Sequence, residues 1–490
     1  TMKRISTLIL VAVALLMPRL ASAQGYVPTE EILKSREEFA DSKFGVFLHW
    51  GLYSMFAQGE WYMNNKNIRY DEYAKLASGF YPSRFNATEW VSQIKASGAK
   101  YITITSRHHD GFSMFHTKQS DYNIVDATPF KRDIIKELAD ECQKQGIKLH
   151  FYYSHLDWRR EDYPVNNSGR GTGRVKGKEN WESYYKFMNN QLTELLTNYG
   201  PISELWFDMG SLLPQQSREL YDLVKELQPD CMVSGRLGND VYDFAVMADN
   251  KLPESALHAP WQSAASMFPE TWSYRSWQER GRVEDKYAEK LRTLINVVAH
   301  GGNYLLNIGP ASDGSVVPFE DEVIRRIGGW LKDNGEAVYG TSSFPQGRFA
   351  HEYEWGVATV KDNVVYLLLT GRYPELDIML HGDESPVSVE GAEWKDYRGN
   401  TFIYTTPDMY AGPDVKVIKL VYAKPVEQVF SAFNSYDSEL SWENAVKQYS
   451  YSCFDYYSNY RSTVGYTWNT GLKHPVSAVE LTYTEEEING

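Results

Sequence analysis

Short apolar runs that end in a hydrogen-bonding side chain recur through the first two thirds of the chain. Phe44 to Gly51 reads FGVFLHWG, Tyr101 to Phe112 reads YITITSRHHDGF, and Ile202 to Gly210 reads ISELWFDMG. Each has the length and composition of a buried strand, and each closes on ring nitrogens or a carboxylate: His49, the pair His108 and His109 with Asp110, or Asp208. A histidine pair alone is equally well explained by one imidazole in the core and one outside. Three strand ends of the same design favour a convergent site, because in a β/α barrel the C-terminal ends of the strands carry the chemistry.

Helical periods lie between the strands. Trp90, Ile94 and Ala99 mark one helix from Ala87; Ile134, Leu138 and Cys142 mark a second, from Asp133 to a stop at Gly146. Tyr184, Met188, Leu192, Leu195 and Tyr199 mark a third, closed by Gly200, and Ser217 to Leu227 and Tyr287 to Ala299 follow the same pattern. Further strands are expected at Lys148 to Ser154, Cys231 to Ser234 and Tyr304 to Ile308. Strand and helix alternating at this spacing imply parallel βα units, and their number predicts an α/β fold with a (β/α)8-like TIM barrel over residues 24–340. Beyond Thr341 the grammar changes. Alternating runs such as Val364 to Leu369 and Val415 to Tyr422, separated by Gly, Asp and Pro, predict an antiparallel β domain over 341–425. Residues 426–490, rich in Tyr, Ser and Asn, read as a packed C-terminal extension.

The first residues have a different logic. Lys3 and Arg4 precede an apolar run from Leu8 to Met17 and then Ala21-Ser22-Ala23, the pattern of a secretory signal peptide over 1–23, with a mature chain expected from Gln24. The run is short for a membrane span, no cysteine follows the cleavage site to take a lipid, and no later stretch is apolar enough to insert in a bilayer. The expectation is an exported protein, periplasmic or secreted. A net charge of −14 argues against nucleic acid and anionic lipid as partners, since both need a basic face. The three cysteines, Cys142, Cys231 and Cys453, allow at most one disulfide and have no zinc-type spacing.

Asp208 is the leading chemical candidate. It ends an apolar strand after Trp206-Phe207, and a carboxylate at a barrel mouth can attack an anomeric carbon; the plainer reading is a cap on the following helix. His49, His108 and His109 can bond sugar hydroxyls, and Trp50, Trp61 and Trp206 can pack against a C–H face. The histidines lack His-x-x-His spacing, so neither a metal nor another cofactor is expected. The glycine-rich run Ser168 to Arg174 imitates a phosphate loop, but no Gly-Lys-Ser/Thr follows; its position suggests a lid or substrate wall.

These motifs, together with Tyr152-Tyr153-Ser154, Asp157-Trp158 and Gly301 to Pro310 (GGNYLLNIGP), resemble glycoside hydrolase family 29, the retaining α-L-fucosidases, in that family's order. The resemblance implies a (β/α)8-like barrel followed by a β-sandwich and hydrolysis of terminal α-L-fucosyl bonds, with a fucosylated oligosaccharide or glycoconjugate as partner. It carries the fucose pocket over to His49, Glu60, Trp61, His108, His109, Tyr152, Trp206 and Arg236, with Asp208 as nucleophile. One departure stands out. Where many members have a Trp-Glu pair supplying the general acid, this chain has Trp261-Gln262, and an amide cannot protonate a leaving oxygen. Glu60, Glu254 and Glu270 are the carboxylates that could replace it, Glu60 first because its segment follows the HWG run at the barrel mouth. A catalytically silent fucose-binding relative and an α-L-galactosidase are the competing functions.

Overall fold

The computed structural model describes residues 28–164, 169–175, 177–209, 212–252, 260–269, 272–344, 354–371, 377–397, 400–429, 446–451 and 461–467. The signal-peptide segment, Glu254, Glu270, Cys453 and most of the C-terminal extension lie outside these residues.

Eight parallel strands form one curled sheet: β1 (Phe44–Leu48), β2 (Tyr101–Arg107), β3 (Lys148–Ser154), β4 (Glu204–Asp208), β5 (Met232–Val233), β6 (Ala245–Val246), β7 (Trp261–Ser266) and β8 (Asn303–Ile308). Their order is β5-β4-β3-β2-β1-β8-β7-β6. The remaining seam, between β5 and β6, is crossed by Asp243 N–H to Val233 O at 2.8 Å and Gly235 N–H to Phe244 O at 2.9 Å. The Asp243 carboxylate, fully buried, holds that seam by accepting from Val233 N, Lys225 and Tyr221.

Helices of ten residues or more cover the outside: α1 (Glu30–Ser42) ahead of β1, then α2 (Ala87–Ala96), α3 (Ile134–Gln145), α4 (Trp181–Asn198), α5 (Pro214–Leu227), α6 (Val283–Ala299) and α7 (Pro318–Asn334). Asn86, Asp133 and Asn180 cap α2, α3 and α4 by accepting a backbone N–H. The barrel is (β/α)8-like, and among the described residues no such helix follows β5 or β6. This is where the strand pattern was weakest, at two residues each.

Alternation sorts the strand residues. Val46, Leu48, Ile102, Ile104, Phe151, Tyr153, Leu205 and Phe207 join the core between sheet and helices, while Phe47, Tyr101, Tyr152, Trp206, Phe244, Val246, Ala264 and Leu305 fill the barrel. Gly45 permits the floor of that interior, since a Cβ there would fall 2.1 Å from the Tyr101 ring.

After α7 the chain forms a five-stranded antiparallel sheet and a three-stranded one. Val365, Leu367, Ile378, Ile403, Ile418 and Leu420 make a separate core there. This β region docks on the barrel's outer helices, with Trp330 Nε1 donating to Val415 O at 2.8 Å and Tyr287 to Asp414 at 2.5 Å. Cys142 and Cys231 are buried, free thiols. No helix among the described residues is long and apolar enough to cross a membrane.

Packing of α7 on α2 depends on Gly328, whose Cβ would lie 2.0 Å from Ala96 O, whereas a Cβ on Gly329 meets nothing within 4 Å. Gly328→Ala should therefore cost about 1–3 kcal/mol by overpacking and lower the thermal midpoint, with Gly329→Ala neutral or slightly stabilising. Paired melting curves measure both.

Candidate active site

Asp208 is the last residue of β4, and alternation turns it inward at the barrel mouth beside Ser154, its parallel partner on β3. Its two oxygens are separately held. Arg236 Nη1 donates to Oδ1 at 3.0 Å, and the Tyr152 hydroxyl donates to Oδ2 at 2.8 Å. Burial pushes its pKa up, but the charge of Arg236, with His109 and the bonds from Tyr152 and Arg236, outweighs burial and holds it below the usual carboxylate value. The carboxylate is thus ionised, oriented and nearly dry, with 13% of its side chain exposed.

Arg236 comes from the short turn Gly235–Leu237 after β5. It lies over the Trp206 ring, 4.6 Å from the centroid, and its second terminal nitrogen donates to Asp249 Oδ1 at 2.6 Å and to Met247 O at 3.2 Å. One guanidinium therefore joins two carboxylates.

The histidines form the opposite wall. His49 Nδ1 is 2.6 Å from Asn307 Oδ1, and because Asn307 Nδ2 donates to Trp272 O, the Nδ1 of His49 must carry the proton. His109 Nδ1 lies 2.6 Å from Ser154 Oγ, which itself donates to Leu156 O, so His109 is also protonated on Nδ1. Its Nε2 then presents a lone pair 3.8 Å from Asp208 Oδ2, a gap too long for a direct bond. His108 stacks on Tyr152, with centroids 5.4 Å apart. Burial is the main cause that lowers all three pKa values, His109 to about 4 and His108 well below the ordinary value, so the rings are neutral at physiological pH.

Glu60 and Trp61 arrive on the loop after β1. Glu60, 3% exposed, accepts Trp272 N–H at 3.2 Å and Ser273 N–H at 2.9 Å on one oxygen, tying that loop to the segment after β7. Trp61 meets His109 and Trp158 edge-on at 5.3 and 5.1 Å. Behind Trp158 lies Gly169, where a Cβ would sit 2.4 Å from the indole, so the described part of the glycine-rich run packs as a wall behind the aromatic cluster.

Two expectations are corrected. Gln262, placed by its sequence motif at the acid position, is fully buried toward the N-terminal end of the barrel, paired across β8 with Asn303. Its oxygen accepts from Trp206 Nε1 at 2.8 Å and its nitrogen donates to Tyr101 OH at 3.1 Å, so it faces the barrel floor and not the mouth. Trp50 points outward by strand alternation, packs on Phe85 and Trp90, and donates to Ala311 O; it has no access to a ligand. Trp206 is buried beside the histidines and acts as the platform under Arg236.

The structure adds Asp249, Asn307, Ser154, Trp158 and Trp272 to the group. Asn307 and Ser154 could have been found from alternation, each being two residues from an inward neighbour. Asp249 carried no pattern signal, since it follows a two-residue strand. Among the described residues no three His, Cys, Asp or Glu side chains are grouped to hold a metal.

A charged carboxylate clamped by arginine and tyrosine, facing neutral imidazoles with fixed tautomers, is the arrangement of a glycoside hydrolase, built for a polyhydroxylated ligand. A family model described as alpha-L-fucosidase matches residues 14–336. Human plasma alpha-L-fucosidase is 30% identical over 383 residues, covering 71% of this chain and 79% of the relative. Among solved structures, alpha-L-fucosidase isoenzyme 1 from Paenibacillus thiaminolyticus superposes with a TM-score of 0.72 at 29% identity, covering 80% of this chain and 99% of that one. Unliganded alpha-L-fucosidase AlfC from Lactobacillus casei is 33% identical with a TM-score of 0.56, over 62% of this chain and 99% of its own. The chain belongs to the α-L-fucosidase family, glycoside hydrolase family 29.

Because Tyr152 helps lower the pKa of Asp208, Tyr152→Phe should move the acid limb of the pH–activity profile to higher pH, and Arg236→Met should move it further. An unmoved limb in both would detach that limb from Asp208. Gln262→Glu should give no rate gain with poor leaving groups, because the new carboxyl lies at the floor; a gain of 10²-fold or more, on the order of what an acid contributes, would contradict that placement.

Proposed function

We propose that this protein is an exported α-L-fucosidase that releases terminal α-L-fucose from fucosylated glycans by double displacement, with Asp208 as the nucleophile. The observation that carries the reading is the clamp on Asp208. A nucleophilic carboxylate must be ionised and aimed while water is largely excluded, and the Arg236 and Tyr152 bonds meet both needs at 13% exposure.

The remaining residues bind. His49 and His109, each protonated on Nδ1, offer Nε2 lone pairs as acceptors for sugar hydroxyls, and the 3.8 Å between His109 Nε2 and Asp208 Oδ2 keeps that lone pair out of a direct bond to the carboxylate. Trp61 supplies an apolar edge for a C–H face. Attack by an Asp208 oxygen on the anomeric carbon forms a glycosyl ester and expels the aglycone; water then cleaves the ester, and two inversions leave the configuration retained. The leader pattern over 1–23 supports export, with the mature chain starting at Gln24.

Incubation with 2-deoxy-2-fluoro-fucosyl fluoride followed by peptide mapping should find the label on Asp208, and Asp208→Asn should lose turnover while still binding fucose. A label on any other residue would sink the assignment. N-terminal sequencing of protein recovered from outside the cytoplasm tests export separately.

A further inference from the structure

Among the described residues the exposed large apolar side chains include a tryptophan, Trp277, at 54%. A lone apolar side chain at a surface needs no explanation. Trp277, however, is held in place. Its Nε1 donates to Gln58 Oε1 at 2.9 Å, and the guanidinium of the buried Arg275 lies 4.8 Å from the ring centroid. With an edge bonded and one face covered by that cation, the exposed area is chiefly the opposite face, a flat apolar surface in a fixed orientation. The backbone beneath is fixed as well. Gln58 and Arg275 form an antiparallel bridge, Ser276 N–H donates to Ala57 O at 3.1 Å, and Arg280 Nη2 donates to Arg275 O at 3.2 Å.

This two-stranded ribbon begins at the barrel mouth. Its two segments follow the C-terminal ends of β1 and β7. At its inner end the buried Glu60 accepts the N–H groups of Trp272 and Ser273, and the Trp272 ring centroid is 5.3 Å from that of His49. Further out Gln58 faces Arg275 and Ala57 faces Ser276, and burial gives way to exposure at Gln58, Ser276 and Trp277. Two residues of chain span at most roughly 7 Å, so the bridge that carries Trp277 stands within the reach of a sugar residue from the wall of the pocket.

The geometry points to Trp277 as a platform for the sugar on the leaving-group side of the substrate, its open indole face taking the C–H face of the pyranose to which fucose is attached. The inference rests on the fucosidase reading above. An aromatic face suits such a ligand because a pyranose presents C–H groups on a face and hydroxyls around its edge, so the ring can be packed while the hydroxyls stay in water. Gln58 and Arg275 have already ordered the side chain, so stacking is not offset by the cost of freezing it. The contact is made alike before and during bond cleavage, so it acts on KM and kcat/KM more than on kcat.

Full-length Trp277→Ala and Trp277→Phe are compared with the unsubstituted enzyme on α-L-fucosyl fluoride, which has no leaving sugar, and on fucosyllactoses and fucosyl-N-acetylglucosamine. The ratio of kcat/KM on the best oligosaccharide to that on the fluoride should fall on the order of 10- to 10²-fold in Trp277→Ala, chiefly through KM. Trp277→Phe keeps a ring but loses the bond to Gln58, and should lie between. A ratio that stays unchanged would overturn the inference: if both rates fall together, Trp277 is a prop for the ribbon, and if neither falls, it is a surface aromatic with no part in binding. An unsubstituted enzyme that cleaves the fluoride and none of the oligosaccharides would overturn it too. Failure to cleave any fucosyl substrate, the fluoride included, would instead strike the fucosidase reading and the inference with it.

Discussion

The arginine that bridges Asp208 and Asp249 is the constraint on which the barrel mouth depends. Burying one carboxylate is costly, and burying two close together without a counter-charge would drive one or both to the neutral form. Arg236 supplies that charge and also the geometry, since its planar fork has separate nitrogens for each partner. Burial works against its charge, but Asp249 and Asp208 outweigh burial and raise its pKa. Removing either partner would leave a buried charge uncompensated, a change that typically costs about 3–5 kcal/mol.

The floor of the barrel serves this mouth. Arg236 rests on the face of Trp206, and Trp206 cannot rotate without breaking its bond to Gln262, which is pinned in turn by Tyr101. Tyr101 stacks on His150, with centroids 4.5 Å apart, and fits only because Gly45 has no side chain. A column of inward residues from several strands therefore runs from the N-terminal end of the sheet to the guanidinium. Gln262 belongs in this column by geometry: an amide can accept from an indole and donate to a phenol at once, with no charge to neutralise.

How much of this was legible in the sequence follows from where periodicity is strong. β1 to β4 and β8 have long apolar runs, and their ends delivered His49, His108, His109, Tyr152 and Asp208 to one place. The same alternation, applied residue by residue, separates His49 from Trp50, which neighbouring letters cannot do. β5 and β6 have two residues each and almost no pattern, so the turns that follow them were opaque. Arg236 was reached through a motif, and Asp249 was not reached. Gln262 was misplaced because matching a family's Trp-Glu pair says nothing about which side of the strand a residue faces or how deep it lies.

Burial itself poses the central electrostatic problem of the site. A dry environment pushes every titratable group toward its neutral form, and for the histidines that is the useful direction. A protonated His109 would close the 3.8 Å gap and tie Asp208 into an ion pair, consuming the lone pair needed for attack. For Asp208 the same push is harmful, because a neutral carboxyl is no nucleophile. Fixed bonds resolve the conflict locally: Arg236 and Tyr152 act on the two oxygens of Asp208, while Asn307 and Ser154 each engage only the far nitrogen of a histidine. One burial thus yields neutral imidazoles and a charged carboxylate a few ångströms apart, two separate acceptors for the O–H donors of a polyhydroxylated ligand.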